Sequence, residues 1–159
     1  MAETVLRALP DRARFVLHGD AAALPAIGTV FGVAPPLVPL TGAVAGDRAA
    51  LRLGPDEWLL LAAPGTAPPE APDAWLVDVS HRQVGFALTG PGAAAALNEG
   101  CPLDLDLAAF PPGACTRTLS GKVEILLWRR AADSFEIEVA RSFAAPLRRL
   151  LEQALADLD

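Results

Sequence analysis

The chain has 159 residues, is 52% hydrophobic and carries a net charge of −6, which fits one compact domain built from two halves. Its 13 basic residues are scattered, so it lacks the basic patch that displaces counterions from nucleic acid or an acidic membrane. No apolar run nears the roughly 18 residues that span a bilayer, and the N-terminal M-A-E-T-V-L-R-A-L-P-D-R lacks the apolar stretch of a signal peptide, so the cytoplasm is the expected compartment.

In chain order, residues 13 to 18 alternate as a strand, with Phe15 and Leu17 on one face. Gly19-Asp20 opens an alanine-rich helix to about Val33, and the prolines of A-P-P-L-V-P-L, 34 to 40, force an extended connection. Strands at about 48 to 53 and 58 to 62 flank the turn G-P-D-E. The proline-rich connector 63 to 73 then divides a first half, about 12 to 62, from a second, about 74 to 157. The second half reads as strands at 75 to 80 and 83 to 89, then a helix from Pro91 to Asn98 stopped by Gly100. Strands follow at about 114 to 119, 123 to 129 and 135 to 140. A final helix, Phe143 to Ala156, has Ser142 as its expected N-cap and one stripe of Phe143, Leu147, Leu150, Leu151, Leu155 and Leu158.

The halves resemble each other. F-V-L-H-G-D-A-A-A, 15 to 23, lies over F-A-L-T-G-P-G-A-A, 86 to 94, and D-E-W-L-L-L-A, 56 to 62, over D-S-F-E-I-E-V, 133 to 139. Two copies of a strand–helix–strand–strand unit predict an α+β fold with antiparallel sheets covered by helices.

The residues that look reactive are placed badly for reaction. Ser80 and His81 are adjacent in V-D-V-S-H, whereas a nucleophile and its base must meet across about 2.6–3.2 Å with a third group orienting the base. Asp78 and Ser80 are expected to satisfy turn amides instead. Cys101 follows a helix C-terminus, where the dipole opposes a thiolate, and it forms no metal-binding spacing with Cys115, His18 or His81. Asp104 and Asp106 share a face of P-L-D-L-D-L, a pair that can divide acid and base work or face water while Leu103, Leu105 and Leu107 anchor a crossover. Gly90-Pro91-Gly92 precedes a helix but lacks G-x-G-x-x-G or G-K-[ST].

The apolar excess predicts docking. Strand 58 to 62 is apolar on both faces, and 123 to 129 sets Val123, Ile125 and Leu127 against Leu126 and Trp128. Trp58, Leu126 and Trp128 are therefore the expected interface anchors.

Four segments in order carry a resemblance: L-R-L-G-P-D-E-W-L-L-L-A; V-D-V-S-H-R-Q-V-G-F-A-L-T-G-P-G-A-A-A-A-L-N-E-G-C-P-L-D-L; C-T-R-T-L-S-G-K-V-E-I-L-L-W-R; and F-E-I-E-V-A-R-S-F-A-A-P-L-R-R-L-L. Over about residues 12 to 156 the chain resembles gamma subunits of heterotetrameric sarcosine oxidase, and more distantly the folate-binding half of the glycine-cleavage aminomethyltransferase (T-protein). That family implies an aminomethyltransferase-like fold and an accessory role in a complex that oxidises sarcosine to glycine with release of hydrogen peroxide and passes the one-carbon unit to tetrahydrofolate. It also implies that FAD, FMN, NAD and tetrahydrofolate are held by other subunits. The partners it implies are large alpha and beta subunits and a small delta subunit carrying zinc, with self-association possible when the chain is isolated. No catalytic or metal-binding residue is then expected here. Asp104 falls about where T-proteins have the folate-contacting aspartate of N-D-V, but Leu103 replaces the asparagine. The alternatives are a stand-alone folate-binding or aminomethyltransferase-like protein through Asp104, and a small hydrolase through Ser80 and His81.

Overall fold

The computed structural model describes residues 3–158, which form two compact units, 11–80 and 3–10 with 81–158. In the first unit, β2 (Ala13–Gly19) buries Ala13, Phe15 and Leu17 on one face, as its alternation predicts. A short 3-10 turn leads into α1 (Leu24–Phe31), with Pro25 in its first turn. The helix stops at Gly32, whose φ of 87° suits a residue without a Cβ and lets its N–H reach the Gly28 carbonyl at 2.8 Å. Strands β3 (Gly42–Ala45), β4 (Arg48–Arg52), β5 (Glu57–Ala62) and β6 (Ala74–Asp78) complete an antiparallel sheet of order β3-β4-β5-β2-β6. Leu24, Ile27 and Phe31 of α1 pack with Phe15, Leu17, Ala50, Trp58 and Leu60 into one core.

The second unit repeats the plan. From β7 (Gln83–Thr89) the chain passes through α2 (Ala93–Asn98) to β8 (Cys115–Ser120), β9 (Val123–Ala131) and β10 (Ser134–Ala140). With the N-terminal β1 (Val5–Ala8) they form an antiparallel sheet of order β1-β7-β10-β9-β8. Replacing β2 by β7, β3 to β5 by β8 to β10 and β6 by β1 converts one sheet order into the other, so the architecture is α+β with two related halves. The last helix, α3 (Ala144–Ala156), lays Leu147, Leu151 and Ala154 on the core of Phe86, Leu88, Ile125, Leu127, Phe135 and Ile137.

Three boundaries differ from expectation. The strand at 74–78 was assigned to the second half but pairs with β2, placing Leu76 opposite Leu17 on the core face. The unit boundary therefore falls between Ser80 and His81 rather than in the proline-rich 63–73, because strand pairing sets membership and proline content sets only stiffness. Conversely, Val5–Ala8 pairs with β7, joining the N-terminus to the C-terminal unit. Finally, Ser142 does not cap α3. It lies in a 3-10 turn, Arg141–Phe143, which leads into the helix with no side-chain cap. Of the expected α3 stripe, Phe143, Leu150 and Leu158 remain exposed.

Gly90 shows how tightly β1 is seated. Its φ is +126°, and a Cβ there would lie 2.6 Å from Thr4 Cα. Among the described residues no helix is long and apolar enough to cross a membrane. Gly90→Ala is expected to destabilise the chain by about 2 kcal/mol or more, through backbone strain and displacement of Thr4. Urea unfolding checks this, and an unchanged midpoint would refute it.

Candidate interaction surface

An arginine organises each unit. In the second, Arg129 leaves the end of β9 and is 3% exposed, with its guanidinium 4.8 Å from the Phe135 ring centroid. Its Nη1 donates to the carbonyls of Leu105 (2.8 Å) and Phe110 (2.7 Å), and its Nε and Nη2 to that of Ala132 (3.0 and 2.5 Å). One side chain thereby fixes the crossover from α2 to β8 onto the sheet. In the first unit Arg52 lies over Trp58, 5.2 Å from its ring, and donates to the Leu37 carbonyl of the α1–β3 crossover and to Pro55 at 2.8 Å. Trp58 itself donates from Nε1 to Pro36 O at 2.9 Å. The spacing from arginine to aromatic is identical in both units, and Gly19 N–H to Asp56 O (3.0 Å) matches Gly90 N–H to Asp133 O (2.9 Å).

The residues that look reactive serve this framework. Asp104 Oδ1 accepts from Asp106 N–H at 2.9 Å and Asp106 Oδ1 from Ala108 N–H at 2.8 Å, so consecutive Asx turns shape the segment that Arg129 holds. Within it Leu105 is buried and Leu103 partly so, whereas Leu107, an expected anchor, is exposed. Ser80 donates from Oγ to Asp78 Oδ1 at 2.6 Å and accepts from Arg14 N–H at 2.9 Å, which ties the end of β6 to β2. His81 accepts Arg141 Nε at its backbone carbonyl, 3.0 Å. The N–H of Gly92 is taken by Thr4 Oγ1 at 2.8 Å, so Gly90-Pro91-Gly92 seats β1.

Cys101 and Cys115 are free thiols and both buried; Cys101 Sγ is 3.8 Å from Thr118 Oγ1. Burial pushes the Cys115 thiol from 9.0 to about 12. Among the described residues no group of three or more His, Cys, Asp or Glu could hold a metal ion. An open groove of about 390 Å³ beside Phe31 contains Arg48 and Thr66. Arg48 donates to Phe31 O (2.5 Å) and Thr66 to Ala63 O (2.7 Å), so their polar groups turn to backbone.

The expected interface anchors are buried in this chain. Trp58 is 1% exposed, its ring inside the core beneath α1 and Arg52. Leu126 and Trp128 are 7% and 3% exposed, with the Arg130 guanidinium 4.2 Å from the Trp128 ring. Such side chains offer a partner no surface, and a strand apolar on both faces here marks two buried faces. The exposed tryptophan is Trp75, at 80%, the one that sequence reasoning passed over. Its signal was weak, since W-L-V-D reads as an ordinary buried strand until its edge position is known. Leu37, Val38 and Leu40 are also exposed, on the crossover that Arg52 pins, and Leu40 has a φ of +56°.

The fold defines the class first. The chain superposes on the glycine cleavage system aminomethyltransferase T from Bartonella henselae with a TM-score of 0.69, at 17% identity over 94% of this chain and 45% of that one. A chain of the heterotetrameric sarcosine oxidase from Corynebacterium sp. U-96, in complex with pyrrole 2-carboxylate, superposes with a TM-score of 0.88 at 26% identity, covering 97% and 84%. No family model matches. The chain belongs to the sarcosine oxidase gamma-subunit family: it is 31% identical over 147 residues to the gamma subunit of Corynebacterium sp. strain P-1, covering 87% of this chain and 70% of that one. It is 32% identical to those of an Arthrobacter species and of Corynebacterium sp. strain U-96, of which it spans 64% and 62% of the length.

Removal of Arg129 as Arg129→Met should cost about 3 kcal/mol, since buried carbonyls of Leu105 and Phe110 lose their donor. Chemical denaturation reads this directly, and a loss below about 1 kcal/mol would contradict the clamp. For Cys115 the folded pKa exceeds the unfolded one, so the unfolded chain releases this proton first and the group's stabilising contribution falls as pH rises from 9.0 towards about 12. Cys115→Ala should therefore flatten the alkaline limb of the stability profile, and a thiol reagent at pH 8 should modify Cys115 only after unfolding.

Proposed function

We propose that this chain is the accessory gamma subunit of a heterotetrameric sarcosine oxidase and itself performs no chemistry. The carrying observation is the superposition of nearly the whole chain on a chain of such an oxidase, together with the named gamma-subunit relatives. Large alpha and beta subunits and a small delta subunit are the proposed partners. FAD, FMN, NAD and tetrahydrofolate reside on those subunits. The assembly oxidatively demethylates sarcosine to glycine, with hydrogen peroxide produced and the one-carbon unit passed to tetrahydrofolate. The roles of the polar residues support the structural part of this reading. Asp104 and Ser80 hold backbone amides, and the Cys115 thiol is kept protonated by burial.

Co-expression with the large subunits, one of them tagged, tests the assignment. The chain should co-elute, and the complex should release peroxide with sarcosine. Ser80→Ala and Asp104→Asn complexes should keep that rate within about two-fold, because neither side chain touches a reacting atom. A chain that never co-elutes would defeat the assignment, and a 100-fold loss in either assembled variant would defeat its non-catalytic part.

A further inference from the structure

Strand β6, Ala74–Asp78, ends its sheet, pairing with β2 on one side and, among the described residues, with no strand on the other. Edge strands are guarded by charge, proline, bulges or brevity, because their unpaired N–H and C=O groups template pairing. The edge strands β1 and β8 carry Arg7 and Arg117, and β3 is only Gly42–Ala45. By contrast A-W-L-V-D has no guard before its last residue, and its residues favour extended structure. On the face away from α1, Trp75 is 80% and Val77 52% exposed, beside His18 and Val16 of β2 in register. An indole so exposed on an unguarded edge is an anchor without its pocket.

Charge selects the occupant. At the start of β6, Asp73 precedes Ala74, the partner of Gly19, which Asp20 follows, and Gly19 N–H reaches Asp56 O at 3.0 Å. All three aspartates are exposed. Centred antiparallel pairing with a second copy of β6 would set Asp78 opposite Ala74, one position from that copy's Asp73, and in-register parallel pairing would set Asp73 onto Asp73, so either direction gathers carboxylates at the strand ends, where like charges are unfavourable. A strand flanked by lysine or arginine meets no such repulsion.

Building on the gamma-subunit reading above, we propose that β6 receives an extended segment of one of the large subunits as an added strand, whose apolar side chains cover Trp75 and Val77 and whose flanking basic residues face Asp73, Asp20 and Asp56. Backbone hydrogen bonds supply register, and the indole supplies most of the affinity.

The test uses the co-expressed complex. Trp75→Ser and Val77→Lys, both at exposed positions, should leave the melting temperature of the isolated chain nearly unchanged and weaken its binding to the large subunits about 30-fold or more. Asp73→Lys should weaken association and make it less dependent on salt. Without any substitution, amide hydrogens of residues 74–78 should exchange more slowly in the wild-type complex than in the isolated chain. A complex that forms with unchanged affinity in the Trp75 and Val77 variants, or leaves exchange at 74–78 unaltered, overturns this surface while the gamma-subunit assignment stands. Failure of the wild-type chain to assemble overturns both. A homodimer abolished by Trp75→Ser, with the heteromeric complex intact, replaces the large subunit by a second copy and overturns the proposal.

Discussion

The structure rests on a guanidinium set over an aromatic ring while its N–H groups hold the carbonyls of a crossing loop. Arg129 on Phe135 and Arg52 on Trp58 are two instances of this arrangement. Arginine suits the position because it stays charged, is weakly hydrated and offers several planar donors at once. A lysine would bring one compact, strongly hydrated point to the same place. The aromatic beneath belongs to the core, so each arginine couples the sheet, the hydrophobic core and the helix-to-strand crossover. Buried positive charge is tolerated because it meets converging carbonyl dipoles and a ring face.

The outward character of the chain follows from this bracing. In the first unit the clamp fixes a proline-rich crossover, and Thr41 Oγ1 holds Val38 O at 2.8 Å, leaving Leu37, Val38 and Leu40 facing out. Leu40 keeps a left-handed backbone that costs a β-carbon residue about 1 kcal/mol, a strain sustained only because its neighbours are held. In the second unit the matching crossover is shaped by Asp104 and Asp106 and buries Leu105 and Phe110 instead. The same device yields an apolar display in one half and a closed loop in the other.

Much of this was legible. The alternations at Phe15–Leu17 and Phe135–Val139, the glycine stop at Gly100, and the match of 56–62 with 133–139 place the main strands and the duplicated plan. Extending that match four residues towards the N-terminus sets Arg52 over Arg129 and would have exposed the clamp. The interface anchors were misread because a strand apolar on both faces looks the same whether its second face is buried in the chain or by a partner. The Asp78–Ser80 contact was legible as a local hydrogen bond because it spans two residues, whereas the bond from Arg14 N–H to Ser80 Oγ, 66 residues apart, was not.

Local chemistry in the sequence determined the element types, the duplicated strand–helix–strand–strand pattern and the family, since these depend on periodicity and neighbouring residues. Only the tertiary structure decided that Val5–Ala8 completes the C-terminal sheet, that 74–78 closes the N-terminal one, and that Trp75 rather than Trp58 or Trp128 stands in solvent. Those outcomes depend on which strand finds a free edge, a long-range pairing choice that no residue encodes alone.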